Sequence, residues 1–243
     1  MFSATGNWRS ASSFFIIYSL IERNKMNFCH VDVDVELLEY PKIDVDGRRH
    51  YQIGQKRYPS ITNILGSTAD KTPLDDWRKR IGATEADRIT NNSSKRGTNL
   101  HLMCEDYLNN RTLSCKMPDA LEMFYSIKPL LHKINNIHCQ EATLYSDKLK
   151  IAGTVDCIAE YDGVLSVIDF KNSRRDKKEE WVFDYFLQEC FYALAYQEMT
   201  GTKIKQIVTI VAVEDKKPQV FIKEIRSYIK PLVERKQLYL NKY

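Results

Sequence analysis

Residues 153–171, GTVDCIAEYDGVLSVIDFK, read as a β-hairpin. Asp162-Gly163 is a strong two-residue turn signal, because a type I′ turn needs positive φ at both positions. The runs on either side are rich in Val, Ile, Leu and Tyr, which suit strands. With Asp162-Gly163 as the loop, Tyr161 pairs with Val164, and Asp156 comes to lie opposite Asp169. Facing carboxylates repel, and these start about 5 Å apart. Ile158, Leu165 and Val167 keep water away, so the pair needs a cation. Lys171, two residues beyond Asp169, points to the same face.

Two facing carboxylates and a lysine form a hard-oxygen metal site with a basic group beside it. Oxygen donors suit Mg²⁺ or Mn²⁺. An ion held there polarises a phosphoryl oxygen and lowers the pKa of a bound water. Lys171 then orients that water or stabilises charge developing on the phosphate. A solvated surface hairpin would use the same letters. The second acid in apolar surroundings is what favours chemistry.

This stretch resembles the active-site core of the PD-(D/E)XK nuclease superfamily. Asp156 matches the first acidic position, and Ile168-Asp169-Phe170-Lys171 matches the acid-x-Lys motif. Gly153-Thr154-Val155-Asp156 followed by Asp169-Phe170-Lys171-Asn172-Ser173 is similar to the RecB-like exonuclease branch, which includes tailed-phage and mitochondrial genome maintenance exonucleases. Three further motifs follow the same branch. Tyr58-Pro59-Ser60-Ile61-Thr62 precedes the core, Arg96-Gly97-Thr98-Asn99-Leu100-His101 matches its Arg-Gly-Thr-x-x-His signature, and Gln188 and Tyr192 match its Gln-x-x-x-Tyr.

The resemblance covers about residues 40–240 and implies an α/β, restriction-endonuclease-like fold. A central mixed β-sheet is flanked by helices, with an N-terminal helical insertion before the core. It implies a metal-dependent DNA exonuclease acting on single-stranded DNA or free ends. Asp156 and Asp169 would bind Mg²⁺ or Mn²⁺, with the Phe170 carbonyl as a further ligand and His101 beside the ion. Lys171 would position or activate the attacking water, with Gln188 and Tyr192 supporting it and the phosphate. Arg96, Gly97, Thr98, Ser173, Arg174 and Arg175 would face the DNA. Glu141, on the preceding strand, is a second-tier candidate, since relatives often carry Glu there.

Several of these residues also have plain structural readings. His101 fits a satisfied helix histidine. Gln188 and Tyr192, four apart, share one helix face in any case. The run 172–178 is equally a solvated loop or a phosphate contact. Trp77 and Tyr107 are candidates for base stacking, with core packing the stronger reading.

The rest of the chain sets limits. Of 243 residues, 36 are Lys or Arg and 32 Asp or Glu, a formal charge of +4. That balance does not demand a polyanion, yet it allows a local basic groove. Six cysteines form no C-x-x-C pair, and they read as reduced, buried and intracellular. No cysteine follows Cys190, so no iron–sulfur cluster is expected. No P-loop is present, so neither is ATP chemistry.

Residues 1–25 read as an extension, not native or dispensable, with 26–243 as one nuclease domain. Its helical part covers about 60–136 and its catalytic core about 137–243. The apolar run Phe14–Ile21 is far short of a membrane span. The expected setting is cytoplasmic (a host's, for a phage protein), or mitochondrial if the extension is a transit peptide. No obligate protein partner is evident.

In local structure, Asp46-Gly47 and Gly54-Gln55 predict two small hairpins. Ser60 is placed to cap a helix. Helices are expected over 73–81, 83–110 with a break near 91–94, 118–135 and 179–200. Long strands are expected from Ile137 to Tyr145 and from Ile204 to Val213. Three other functions stay open: a structure-specific or restriction-like endonuclease, a non-catalytic DNA-binding recombination factor, and an RNA-processing enzyme.

Overall fold

A computed structural model describes residues 27–114 and 117–243. The extension 1–25 and Cys115 lie outside the described residues. The chain opens with a small antiparallel sheet of β1 (Lys42–Val45), β2 (Arg48–Ile53) and β3 (Lys56–Pro59). Asp46-Gly47 makes its first turn, both residues at positive φ. Ser60 then caps α1 (Ile61–Thr68), its side chain accepting from the Asn63 N–H. Next come α2 (Thr72–Ile81), α3 (Ala83–Leu108) and α4 (Pro118–Leu131).

The main sheet has five strands in sequential order: β4 (Ile134–Ser146), β5 (Ile151–Tyr161), β6 (Val164–Ser173), β7 (Gln206–Val213) and β8 (Gln219–Glu224). All neighbours are antiparallel except β6 and β7, which run parallel. That parallel pair needs a crossover, supplied by α5 (Phe183–Thr200). The chain closes with α6 (Ile229–Lys242). One face of the sheet packs against α1, α5 and α6 through Ile64, Phe186, Phe191 and Leu232. The other packs against α3 and α4 through Leu100, Met103, Phe124 and Ile127. The result is the restriction-endonuclease-like architecture expected, a mixed sheet between two helical layers. Among the described residues, no helix is long and apolar enough to cross a membrane.

Four local expectations need correcting. Helix α3 runs unbroken through Asn91–Ser94, poor helix formers that gain a tertiary partner. The Asn172 side-chain amide donates to the Ser93 carbonyl at 3.0 Å. Helix α4 stops at Leu131, and Ile134 opens β4 by pairing with Tyr161 instead of extending the helix. The hairpin turn captures that junction, with Lys133 ion-paired to Asp162 at 2.9 Å. Residues Glu179–Trp181 form a separate 3₁₀ turn before α5. The cysteines are not uniformly buried: Cys104, Cys157 and Cys190 are, Cys139 is half-buried and Cys29 is exposed.

Candidate active site

The hairpin has the predicted register from Tyr161–Val164 down to Cys157–Ile168, and there the ladder ends. Asp156 and Asp169 are not a ladder pair. Instead the Asp156 carboxylate accepts the Phe170 backbone N–H at 2.9 Å. Like charges at the next position give the ladder no reason to continue, and a charge-assisted hydrogen bond takes its place.

On its other edge, β5 pairs with β4 so that Ala142 meets Val155 and Gln140 meets Cys157. Glu141 therefore stands opposite Asp156. It holds φ at +48°, a left-handed conformation uncommon for a residue with a side chain. The inside–outside alternation slips there in both strands. Ala142 and Cys139, three apart, meet the same core, as do Val155 and Ile158. A matched slip in two paired strands frees Glu141 and Asp156 from the normal pleat.

Helix α3 supplies the third group. His101 Nδ1 lies 3.4 Å from an Asp156 carboxylate oxygen. One donor atom each from His101, Glu141 and Asp156 lie within 4.8 Å of one another. An imidazole and two carboxylates suit Mn²⁺ and, by their oxygens, Mg²⁺. The grouping includes Glu141 and leaves out Asp169. Asp169 is buried and ion-paired to Lys171 through Oδ2, while its Oδ1 has no hydrogen-bond partner among the described residues. An orphaned carboxylate oxygen beside such a cluster fits a site that takes a cation.

The electrostatics follow from burial opposed by close charges. Burial would lower the His101 pKa, but the Asp156 carboxylate outweighs it and raises it to about 9. Burial and the Asp156 charge push Glu141 up to about 7. Burial also raises Asp169, to about 6, against the pull of Lys171 and with help from Asp156. Asp156 is held down despite its burial, chiefly by His101. Lys171 is half-buried, which works against its charge, yet Asp169 and Asp156 raise its pKa and keep it charged.

On α5, the Gln188 amide donates to the Tyr192 hydroxyl at 3.0 Å. Tyr192 in turn packs on Gly153, where a Cβ would come within 2.9 Å of both the tyrosine ring and Ile61. Thus the glycine of the Gly-Thr-Val-Asp run lets α1 and α5 close on β5. Gly97 plays a similar part on α3, since a Cβ there would meet the Asn172 side chain at 2.9 Å. Gly97, Thr98, His101 and Glu141 line one open cleft.

The basic candidates are placed differently. Arg96 is buried and ion-paired with Glu214 at 3.0 Å, while Arg174 reaches the same carboxylate at 3.6 Å. The Ser173 hydroxyl is buried and donates to the Arg175 carbonyl at 2.6 Å. Of this group Arg174 and Arg175 are exposed, Arg175 over the Trp181 ring. Tyr107 packs in the core against Phe28 and Phe124. Trp77 is half-buried on α2.

Two residues escaped the sequence reading. Glu189 on α5 is fully buried and takes a hydrogen bond from the Thr209 hydroxyl. Burial, then the Asp169 charge, raises its pKa well above the usual carboxylate range, which favours the protonated form. An acid amid Phe186, Leu187, Cys190 and Phe191 was the available signal. The other is Tyr185, whose ring lies 5.1 Å from Lys171 Nζ.

The sequence profile of the PD-(D/E)XK nuclease superfamily matches residues 68–238. The human mitochondrial genome maintenance exonuclease 1 is 28% identical over 173 residues, 66% of this chain and 50% of that protein. Its Xenopus tropicalis counterpart is 28% identical over 189 residues, 73% of this chain and 54% of the relative. This chain thus spans about half the length of the curated relatives it matches. A solved Eubacterium rectale protein with a provisional exonuclease name aligns at a TM-score of 0.45 and 15% identity, over 62% of this chain and 65% of its own.

Proposed function

Because the chain belongs to the PD-(D/E)XK nuclease superfamily, we propose that it is a metal-dependent DNA exonuclease acting on single-stranded DNA or free ends. The observation that carries this reading is the convergence of His101, Glu141 and Asp156 beside the Asp169–Lys171 pair. His101, Asp156 and Asp169, with Glu141 added, would hold Mg²⁺ or Mn²⁺, and the Phe170 carbonyl is a further candidate ligand. When bound, such an ion supplies Lewis-acid polarisation of a phosphoryl oxygen and a more acidic water.

The chain's own groups do the remaining work. The Lys171 ammonium is anchored on Asp169 and stays charged, so it does not accept a proton. It orients the attacking water and donates to a non-bridging phosphoryl oxygen, which gains charge as the water oxygen adds to phosphorus and before the bridging oxygen leaves. Gln188 and Tyr192 hold the wall of the site beside Gly153. Arg174 and Arg175 are exposed cations of the adjoining loop and would take backbone phosphates. The mitochondrial genome maintenance role named in the relatives makes organellar DNA a natural substrate.

The test pairs end-labelled linear single-stranded DNA with a closed single-stranded circle, in Mg²⁺, Mn²⁺ or EDTA. The expected result is metal-dependent loss of the linear strand, a surviving circle, and a loss of about 10²-fold or more in Lys171→Ala. A cut circle points to an endonuclease. DNA binding without cleavage under any metal points to a binding factor.

A further inference from the structure

The loop between the acid-x-Lys strand and α5 contains a large apolar side chain in water. Trp181 is 52% exposed. Two cations attend its ring, Arg175 with its guanidinium carbon 5.7 Å from the centroid and Lys178 with Nζ at 5.4 Å. Both distances fall in the cation–π range. The segment is firmly held. The Lys177 backbone N–H donates to the Gln219 side-chain oxygen at 2.7 Å, and the Gln219 amide returns a bond to the Lys177 carbonyl at 3.1 Å. Two of the nearby acids are engaged, Asp176 with Lys216 and Glu179 with Lys223. Burial, followed by the Arg175 charge, lowers the Lys177 pKa.

We propose that Trp181, flanked by Arg175 and Lys178, is a stacking platform for an unpaired base of the substrate strand. The reading rests on the nuclease assignment above and narrows its substrate to single strands. An indole face stacks any base without regard to sequence, and nearby cations meet the phosphates on either side. A base inside a duplex is already paired and stacked, so it does not offer its face. The platform lies beside the chemistry. Trp181 is four residues from Tyr185, a reach of at most about 14 Å, and Tyr185 touches Lys171. A strand stacked on Trp181 is thereby held next to the site that cuts it.

The experiment measures binding by the full chain in EDTA, where no cleavage occurs. Fluorescence anisotropy is read with oligothymidylate, an abasic oligonucleotide of equal length, and a blunt duplex. Trp181→Ala is expected to lose about 5- to 150-fold affinity for oligothymidylate. Its affinity for the abasic strand and the duplex, and its salt dependence, should stay at wild-type values. Trp181→Phe should keep most of the affinity, which separates stacking from damage to the fold. Equal losses on the abasic strand, or no loss on oligothymidylate, overturn the platform. If the wild type cuts with Mn²⁺ while Trp181→Ala binds like it, the platform alone falls. If the wild type neither binds nor cuts oligothymidylate, the nuclease reading falls with it.

Discussion

At the residue scale, Glu189 shows how a protonation state can be built into a core. It lies on α5 with its carboxyl against Thr209 and within the field of Asp169. A second full charge there would meet Asp169 in a medium that screens poorly. Holding the proton avoids that repulsion. The linkage follows from the raised pKa. The folded state keeps a proton that the unfolded chain releases, so this contribution is complete below the ordinary glutamate pKa and is lost as pH rises. Glu189→Gln keeps the shape and cannot ionise. Its thermal midpoint should therefore fall less than the wild type's between pH 5 and pH 9. Parallel pH profiles by differential scanning fluorimetry check this, and coincident profiles would exclude it.

At the element scale, the glycine in β5 sets how closely three elements pack. A Cβ at Gly153 would press on Ile61 of α1 and Tyr192 of α5, each at 2.9 Å. Overfilling such a contact costs about 1–3 kcal/mol. Gly153→Ala should lose that much in urea unfolding and should also reduce activity, because Tyr192 must move. The sequence exposed this part of the fold well. Asp162-Gly163 announced the hairpin, Ser60 the helix cap, and the order of motifs the family. It did not expose the slip at Glu141. A strand with mixed polarity such as His138–Tyr145 can be threaded in either phase, and only its partner strand fixes which. Nor did the sequence expose the partner of Arg96, which the Arg-Gly-Thr-x-x-His resemblance places at the DNA and which pairs with Glu214, more than a hundred residues later.

For the whole molecule, the candidate cation site joins layers on opposite sides of the sheet. His101 comes from α3, Glu141 and Asp156 from the sheet, and Lys171 faces Tyr185 of α5. A cation bound to the folded state alone should raise global stability. At about 100 times its dissociation constant the gain is about 2.7 kcal/mol, or about 5–10 °C for a chain of this size. Mn²⁺ titration by thermal shift should show that rise, and EDTA should abolish it. Glu141→Gln and Asp156→Asn should each shrink the rise without needing any substrate. A full rise in both variants would place the cation elsewhere.

The matched slip also settles what can be exchanged. A regular strand put in place of β4 would keep its hydrogen bonds to β5 on one side of Glu141 only by turning its apolar residues outward on the other. The same holds for β5 replaced alone. The two strands travel as one heritable part, so a chimera or a transplanted site must carry residues 134–161 together.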